Sequence, residues 1–365
     1  MIFVNYGGGG YYFFDHSTWN GLTVADLVFP WFIFIMGTAM ALSFDALLKK
    51  KVSRAFLLRK AIRRSIILFG LGLFLNDGFY INLWRIPGVL QRFGVSYLAV
   101  TIIILFVPKW DFSSEGNRSL NHDDDPLLPS ADNKYRKVAW YIDIAPYFLE
   151  WMVVAVLLLT WFIVTFTLHV PGCGAGYLGP GGLADDGLFR NCTGGAAGYI
   201  DKLVFGENHI YNSPTCMTTY LTGNYDPEGI LGYLTSISLC YMGVQMGRIL
   251  LMWKSPASRM KRWFFWGLFW GILGTILCFG QKNGGPVPIN KNLWSASFIF
   301  VMAGSGNIVL TVYYFLVDVI KVWNGAPFIY VGMNPILIFC GMTWLKNLSK
   351  ILRSRNFATI LPIFI

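Results

Sequence analysis

The sequence predicts an all-α protein: a polytopic transmembrane helix bundle of about eight complete spans, with partial spans at both ends and one irregular loop on the non-cytosolic side. Three observations predict it. Only 13% of the 365 residues are charged and 55% are apolar, whereas soluble domains carry roughly 25% charged residues. The apolar residues come in unbroken runs close to the ~20 residues that cross a hydrocarbon core, not in the alternation of a β-barrel. Lys and Arg collect in every second connection between those runs. Inside lipid the backbone has no water to bond, so a spanning run must be a helix. This composition excludes a soluble globule, a disordered chain, collagen and a small disulfide scaffold. The net charge of +10 is a property of the loops and is no sign of a nucleic-acid partner.

The spans fall near residues 22–45, 62–80, 86–107, 146–168, 229–252, 263–280, 293–318 and 328–347. The connections 46–64, 108–140, 253–262 and 319–327 carry eighteen Lys and Arg, and the segments 1–21, 81–85, 169–228 and 281–292 carry five. The basic set, including the loop 109–139, is therefore expected in the cytosol, and the loop 169–228 in a lumen or outside. The opening Met-Ile-Phe-Val reads as the last turn of a span and has no signal-peptide features. Ala358–Ile365 is apolar but too short to span, so both ends are expected to be incomplete parts of one membrane domain, 1–365.

Within the Gly-rich loop, Cys173, Cys192 and Cys216 lie on the side where disulfides persist. A Cys173–Cys192 bridge is favoured, with other pairings open. Cys240, Cys278 and Cys340 fall in spans and read as packing residues. Asn191-Cys192-Thr193 is a glycosylation sequon that such a bridge would compete with. Gly174–Gly179 matches G-x-G-x-x-G, but no strand precedes it and Pro180 follows, so no dinucleotide site is expected. The four His are scattered, so no metal centre is expected either. Gly243-x-x-x-Gly247 reads as a close helix-packing face.

Ionisable residues at membrane depth are costly and mark either a function or a buried pair. Asp26, Asp77, Arg85, Arg92, Arg248 and Asp318 lie in or at the ends of spans. As a set they suit an intramembrane enzyme or a transporter of a small polar solute. The densest chemical stretch is Asn5-Tyr6-Gly7-Gly8-Gly9-Gly10, then His16, Trp19-Asn20-Gly21 and Asp26. His16 is the one histidine at a span edge beside other polar groups, which makes it the candidate catalytic residue, with an interfacial structural role as the alternative.

Several strings carry a resemblance. Asn5-Tyr6-Gly7-Gly8-Gly9, Trp19-Asn-Gly-Leu-Thr-Val-Ala-Asp26, Arg85-Ile-Pro-Gly-Val-Leu-Gln-Arg92, Val170-Pro-Gly-Cys173, Asn191-Cys-Thr-Gly-Gly-Ala-Ala-Gly, Tyr225-Asp-Pro-Glu228-Gly, Pro288-Ile-Asn-Lys-Asn-Leu-Trp-Ser and Gly332-Met-Asn occur in this order along nearly the whole chain. The sequence thereby resembles the heparan-α-glucosaminide N-acetyltransferase family. That resemblance implies a multi-pass lysosomal membrane enzyme. It would move acetyl from cytosolic acetyl-CoA to the terminal α-glucosamine amine of heparan sulfate in the lumen. The family's catalytic His matches His16, and the Asn of its NYGGG string matches Asn5. The family's luminal N-terminal domain has no counterpart in this sequence, so an inactive truncated homologue is an alternative.

Lys60, Arg63 and Arg64 are placed to hold the coenzyme A phosphates or to serve as plain cytosolic anchors, with Arg85 and Arg92 also counted as cofactor-binding. The pantetheine arm would thread between helices to His16. His16 either carries the acetyl group covalently or acts as a base for direct transfer, with Asn5 donating a hydrogen bond to the thioester oxygen. Asp26, Asp226 and Glu228 are expected to hold the cationic sugar amine, although the last two also suit a helix N-terminus. The expected partners are acetyl-CoA as donor, heparan sulfate ends and the lipid bilayer; a homo-oligomer is compatible, and no metal or nucleic acid is implied. Asp123-Asp124-Asp125-Pro126-Leu127-Leu128 has the form of an acidic dileucine sorting signal, or is simply a solvated acidic loop.

Overall fold

The computed structural model describes residues 2–5, 8–77, 84–108 and 140–341. The helices in chain order are α1 (Ile2–Asn5), α2 (Val24–Lys49), α3 (Arg54–Asp77), α4 (Val89–Phe106), α5 (Phe148–Thr167), α6 (Ala196–Phe205), α7 (Thr215–Tyr220), α8 (Leu231–Met252), α9 (Pro256–Leu277), α10 (Ala296–Tyr314) and α11 (Phe328–Met333). Among the described residues there is no strand, only two isolated bridges. Residues 109–139, with the dileucine string, lie outside the described residues, as do 342–365.

Five helical stretches are long and apolar enough to cross a membrane: Val24–Lys49, Val89–Phe106, Tyr141–Thr167, Leu231–Met252 and Ala296–Val319. The expectation of eight is thus met for five. Helices α3 and α9 are long but carry Arg59, Lys60, Arg63 and Arg64, or Arg259, Lys261 and Arg262, in their opening turns. The run expected at 328–347 is interrupted at Asn334, after α11.

Helix α8 is the axis of the bundle. Nearly every residue from Leu231 to Met252 is buried, and α2, α4, α5 and α10 all pack on it. The α2–α8 crossing depends on residues without side chains. A Cβ on Gly243 would stand 2.0 Å from the carbonyl oxygen of Phe34, and one on Gly37 would stand 1.8 Å from that of Cys240. The two backbones therefore touch, and Thr38 Oγ1 donates across the gap to the Gly243 carbonyl at 3.1 Å. The Gly243-x-x-x-Gly247 string is thus a packing face against α2.

Two charged clusters inside the bundle are ion pairs. Arg248 meets Glu150 at 2.8 Å, and the Tyr241 hydroxyl donates to the same carboxylate at 2.9 Å. Arg262 meets Asp143 at 2.7 Å, which also accepts the indole N–H groups of Trp253 and Trp266. These pairs tie α8 to α5, and α9 to the segment before α5, and account for Arg248 structurally.

Residues 169–228 form a cap of turns and two short helices over one end of the bundle. Cys173 and Cys192 are joined in a disulfide that packs with Val170 and Ala196. Gly195 lies at φ 52°, where a Cβ would fall 2.0 Å from the Tyr177 carbonyl oxygen, so the cap closes on itself only with glycine there.

Candidate active site at the cap end

Residues 15–23, which lead into α2, are pinned from two sides. Asn20 pairs with Asn290 in an antiparallel bridge, the Asn290 side-chain amide donates to Asn20 Oδ1 at 2.9 Å, and the Gly21 N–H donates to the Ile289 carbonyl at 2.8 Å. Trp19 is buried; its indole N–H donates to the Leu178 carbonyl at 2.9 Å, and its ring lies 5.4 Å from that of Tyr225. The Tyr225 hydroxyl donates to the Asn292 carbonyl at 2.9 Å. Three segments remote in sequence, 15–23, 225–230 and 287–295, therefore meet at one place.

His16 stands at that meeting point, about a third exposed, with Nδ1 2.8 Å from Asp26 Oδ1. Asp26 occupies the first turn of α2 and is fully buried. Its Oδ2 accepts the Ser17 N–H at 3.1 Å, the Thr23 N–H at 3.2 Å and the Thr23 hydroxyl at 2.9 Å. Pro30 has no N–H to give to the Asp26 carbonyl four residues back, so this first turn is held largely by its cap. Lys291 completes the group: its Nζ is 3.2 Å from Asp26 Oδ1 and 2.9 Å from His16 Nδ1. Nδ1 can serve only one of these two neighbours: with Asp26 ionised, Nδ1–H donates to Oδ1, the Lys291 ammonium lies against the ring nitrogen without a hydrogen bond to it, and the lone pair sits on Nε2. Nε2 has no hydrogen-bond partner among the described residues.

A second cluster lies beside the first. Arg85 grips Asp226 with two hydrogen bonds, Nε to Oδ2 at 2.8 Å and a terminal nitrogen to Oδ1 at 2.6 Å, and also pairs with Glu228. Asp226 accepts the backbone N–H groups of Tyr211 at 2.9 Å and Glu228 at 3.0 Å. Burial pushes the Glu228 carboxyl up, but Arg85, Arg92 and Lys291 outweigh it and hold Glu228 below the usual carboxylate range. Arg92 is fully buried, lies 4.4 Å over the Trp294 ring, and donates to the carbonyls of Pro227 and Gly229. On α6, Asp201 accepts the Ile230 N–H at 2.9 Å through Oδ1, and burial pushes its carboxyl up to about 7.

The geometry revises several expected roles. Asp26 does not stand open to a sugar amine; its oxygens are filled by His16, Lys291, Ser17 and Thr23, so it supports the histidine. Asp226 and Glu228 are likewise buried and taken up by Arg85. Arg85 and Arg92 do not join Lys60, Arg63 and Arg64, because α3 and α4 run antiparallel. The Ser65 hydroxyl of α3 donates to the Gly94 carbonyl of α4 at 2.8 Å, and Arg64 lies 4.6 Å over the Tyr97 ring, so the start of α4 is at the far end from the start of α3. Lys60, Arg63 and Arg64 are all exposed. Arg64 lines a cavity of about 430 Å³ between α2, α3, α4 and the segment after α11, with Ser43, Met36, Phe32, Leu90 and Phe93 among its walls. Phe93 packs on Phe29, one turn beyond Asp26, with ring centres 5.4 Å apart. Asn5 ends α1, and its side chain lies outside the described residues. Among the described residues no cluster could hold a metal ion. Sequence reasoning passed over Lys291; the signal was a lone cation inside Pro288-Ile-Asn-Lys-Asn-Leu-Trp-Ser, in a connection poor in basic residues.

Fold and site together define a polytopic helical membrane protein with a histidine–carboxylate pair at the capped mouth of its bundle. No family model matches the chain. Two curated proteins do: the heparan-alpha-glucosaminide N-acetyltransferase of Mus musculus, 42% identical over 355 residues that make up 95% of this chain and 52% of that protein, and the one of Homo sapiens, 42% identical over 355 residues, 95% and 51%. The chain belongs to the same family as these acetyltransferases, and it spans about half the length of the curated relatives it matches.

Proposed function

We propose that the chain forms the membrane-embedded catalytic part of a transmembrane acetyltransferase. It would take acetyl from acetyl-CoA on the cytosolic side and place it on the terminal α-glucosamine amine of heparan sulfate in the lysosomal lumen. The observation that carries this reading is the His16–Asp26 pair, with Nδ1 fixed by a buried carboxylate and Nε2 without a hydrogen-bond partner among the described residues.

A glucosamine amine must lose a proton as it bonds to the thioester carbon. With Asp26 holding Nδ1–H, His16 Nε2 accepts that proton and Asp26 stabilises the imidazolium that forms. The sulfur leaves as thiolate when the carbon–sulfur bond breaks, and the proton held on His16 Nε2 passes to it, which restores the neutral ring. Acetyl-CoA supplies the activated acetyl thioester. The residues that would hold it are Arg64, with Lys60 and Arg63 on the exposed turns before it, and the apolar walls of the cavity beside α2. From Phe32 to Ser43 that cavity runs along about 16 Å of helix at 1.5 Å per residue, a shape that suits a long neutral arm with its phosphates at the basic end. Asn5, the last residue of α1, is the proposed donor to the thioester oxygen.

The test uses sealed vesicles with the chain oriented so that the basic loops face out. Acetyl-CoA is supplied outside and a glucosaminide inside. Acetylated sugar appearing inside supports the proposal. Movement of unmodified sugar without product would replace it with a transporter, and neither event would leave an inactive homologue.

A further inference from the structure

The first cluster contains a cation that the proposed reaction does not by itself require. Lys291 is held on rigid backbone: the side chain of Asn290 is fully buried against Asn20 and the Leu293 N–H, the indole of Trp294 is fully buried, and the Asn290 N–H donates to Ser295 Oγ at 3.1 Å. Its side chain is only 16% exposed, and its ammonium reaches both partners of the histidine–carboxylate pair.

The charges around His16 can be enumerated by element. Helix α2 contributes Asp26. The segment before α10 contributes Lys291, and Lys282 packs near Gly21 at the back of the 15–23 segment. The segment before α8 contributes Glu228, which lies within electrostatic reach of Lys291 and is itself paired with Arg85. The histidine's own segment contributes only exposed Asp15. Asp26 is therefore the one buried anion in contact with the ring among the described residues, and an anion in contact with an imidazole favours its protonated form. A protonated imidazole cannot accept the amine proton.

We propose that Lys291 is a positioning residue for His16: its ammonium shares the Asp26 carboxylate with the ring and offsets part of the negative charge that the ring meets there. The inference rests on the reading of His16 as the proton acceptor. Lys291 also competes with Nδ1–H for Asp26 Oδ1, and when the ring becomes an imidazolium during transfer the two cations repel. The proton is then passed on readily instead of being trapped.

The deciding experiment is the pH–rate profile of acetyl transfer in vesicles, with internal pH varied, for the wild type, Lys291→Met and Lys291→Arg. Removing a unit charge at this distance from the ring moves the acid limb of the Lys291→Met profile upward by about one pH unit, while the rate recovers toward the wild-type plateau at higher pH. Lys291→Arg keeps the limb where it is. Should Lys291→Met fail to fold, Lys291→Gln removes the same charge and carries the same expectation. A limb that does not move, or a loss uniform at every pH, would overturn the inference. His16→Ala in parallel separates the two claims. Retained transfer there would remove the base itself, whereas an inactive His16→Ala beside an unshifted Lys291→Met would sink only the role of Lys291.

Discussion

Asp26→Asn exchanges one oxygen for an amino group and leaves the volume unchanged, so its effect is readable from the hydrogen bonds alone. Three donors, the Ser17 N–H, the Thr23 N–H and the Thr23 hydroxyl, converge on Oδ2. The oxygen of the substituted amide must face them, because the reverse orientation would set an NH2 against three donors. The NH2 then faces His16 Nδ1 at the former 2.8 Å contact and can only donate. The ring proton moves to Nε2, and the atom required as base becomes a donor. Loss of a general base typically costs 10²–10⁴-fold in rate, and transfer by Asp26→Asn is expected to fall within about that range. The stability cost is smaller. His16 and Lys291 are 36% and 16% exposed and can turn to water, so replacing charge-assisted bonds by neutral ones costs about 1–2 kcal/mol. The assay is the initial rate of acetylated glucosaminide formation in vesicles, normalised to folded protein by gel filtration. A folded Asp26→Asn with the wild-type rate would refute the assignment of Nε2 as the working base.

Two further outcomes follow from the neighbouring cluster. Arg85→Met leaves Asp226 and Glu228 buried without their shared cation and should destabilise the protein by about 3–5 kcal/mol, seen as earlier thermal unfolding in detergent; unchanged unfolding would contradict the pairing. Asp201, with its carboxyl raised from 3.8 to about 7 by burial, binds a proton in the folded state that it lacks when unfolded. Its contribution is therefore fully present below 3.8 and lost as pH rises through about 7. Asp201→Asn keeps the acceptor for Ile230 and should flatten the decline in stability between about pH 4 and about pH 8; a variant as pH-sensitive as the wild type would count against it. Glu228 acts in the opposite sense, since its depressed carboxyl contributes above the ordinary carboxylate range and loses that contribution only in stronger acid.

What the sequence revealed depended on whether the signal was local. The apolar runs of α2, α4, α5, α8 and α10 stand out because lipid demands them residue by residue. The basic opening turns of α3 and α9 blur the same signal, and the eighth run is broken at Asn334. His16 was visible as a polar residue at a span edge. Its partnership with Asp26 crosses only 10 residues, whereas the one with Lys291 crosses 275 and was not visible at all. The largest reassignment has the same origin. Arg85 looked like an anion site, and Asp226 and Glu228 looked like a cation site. Folding brings them together across 141 residues, where each satisfies the other. The antiparallel return of α4 along α3 likewise separates Arg85 and Arg92 from the basic turns of α3. Only the contact between Arg64 and Tyr97, deep along both helices, shows where a basic residue enters the cavity.

The central claim is that acetyl crosses the membrane through a reaction in which His16 accepts the amine proton. The most direct test measures transfer from acetyl-CoA outside sealed vesicles to a glucosaminide inside, comparing the wild type with a folded His16→Ala that still binds acetyl-CoA. The account predicts transfer by the wild type and a loss of about 10²–10⁴-fold in the variant, with acetyl-CoA binding retained because the residues proposed to hold it lie around the cavity and at the basic end. Transfer by His16→Ala at the wild-type rate would contradict it.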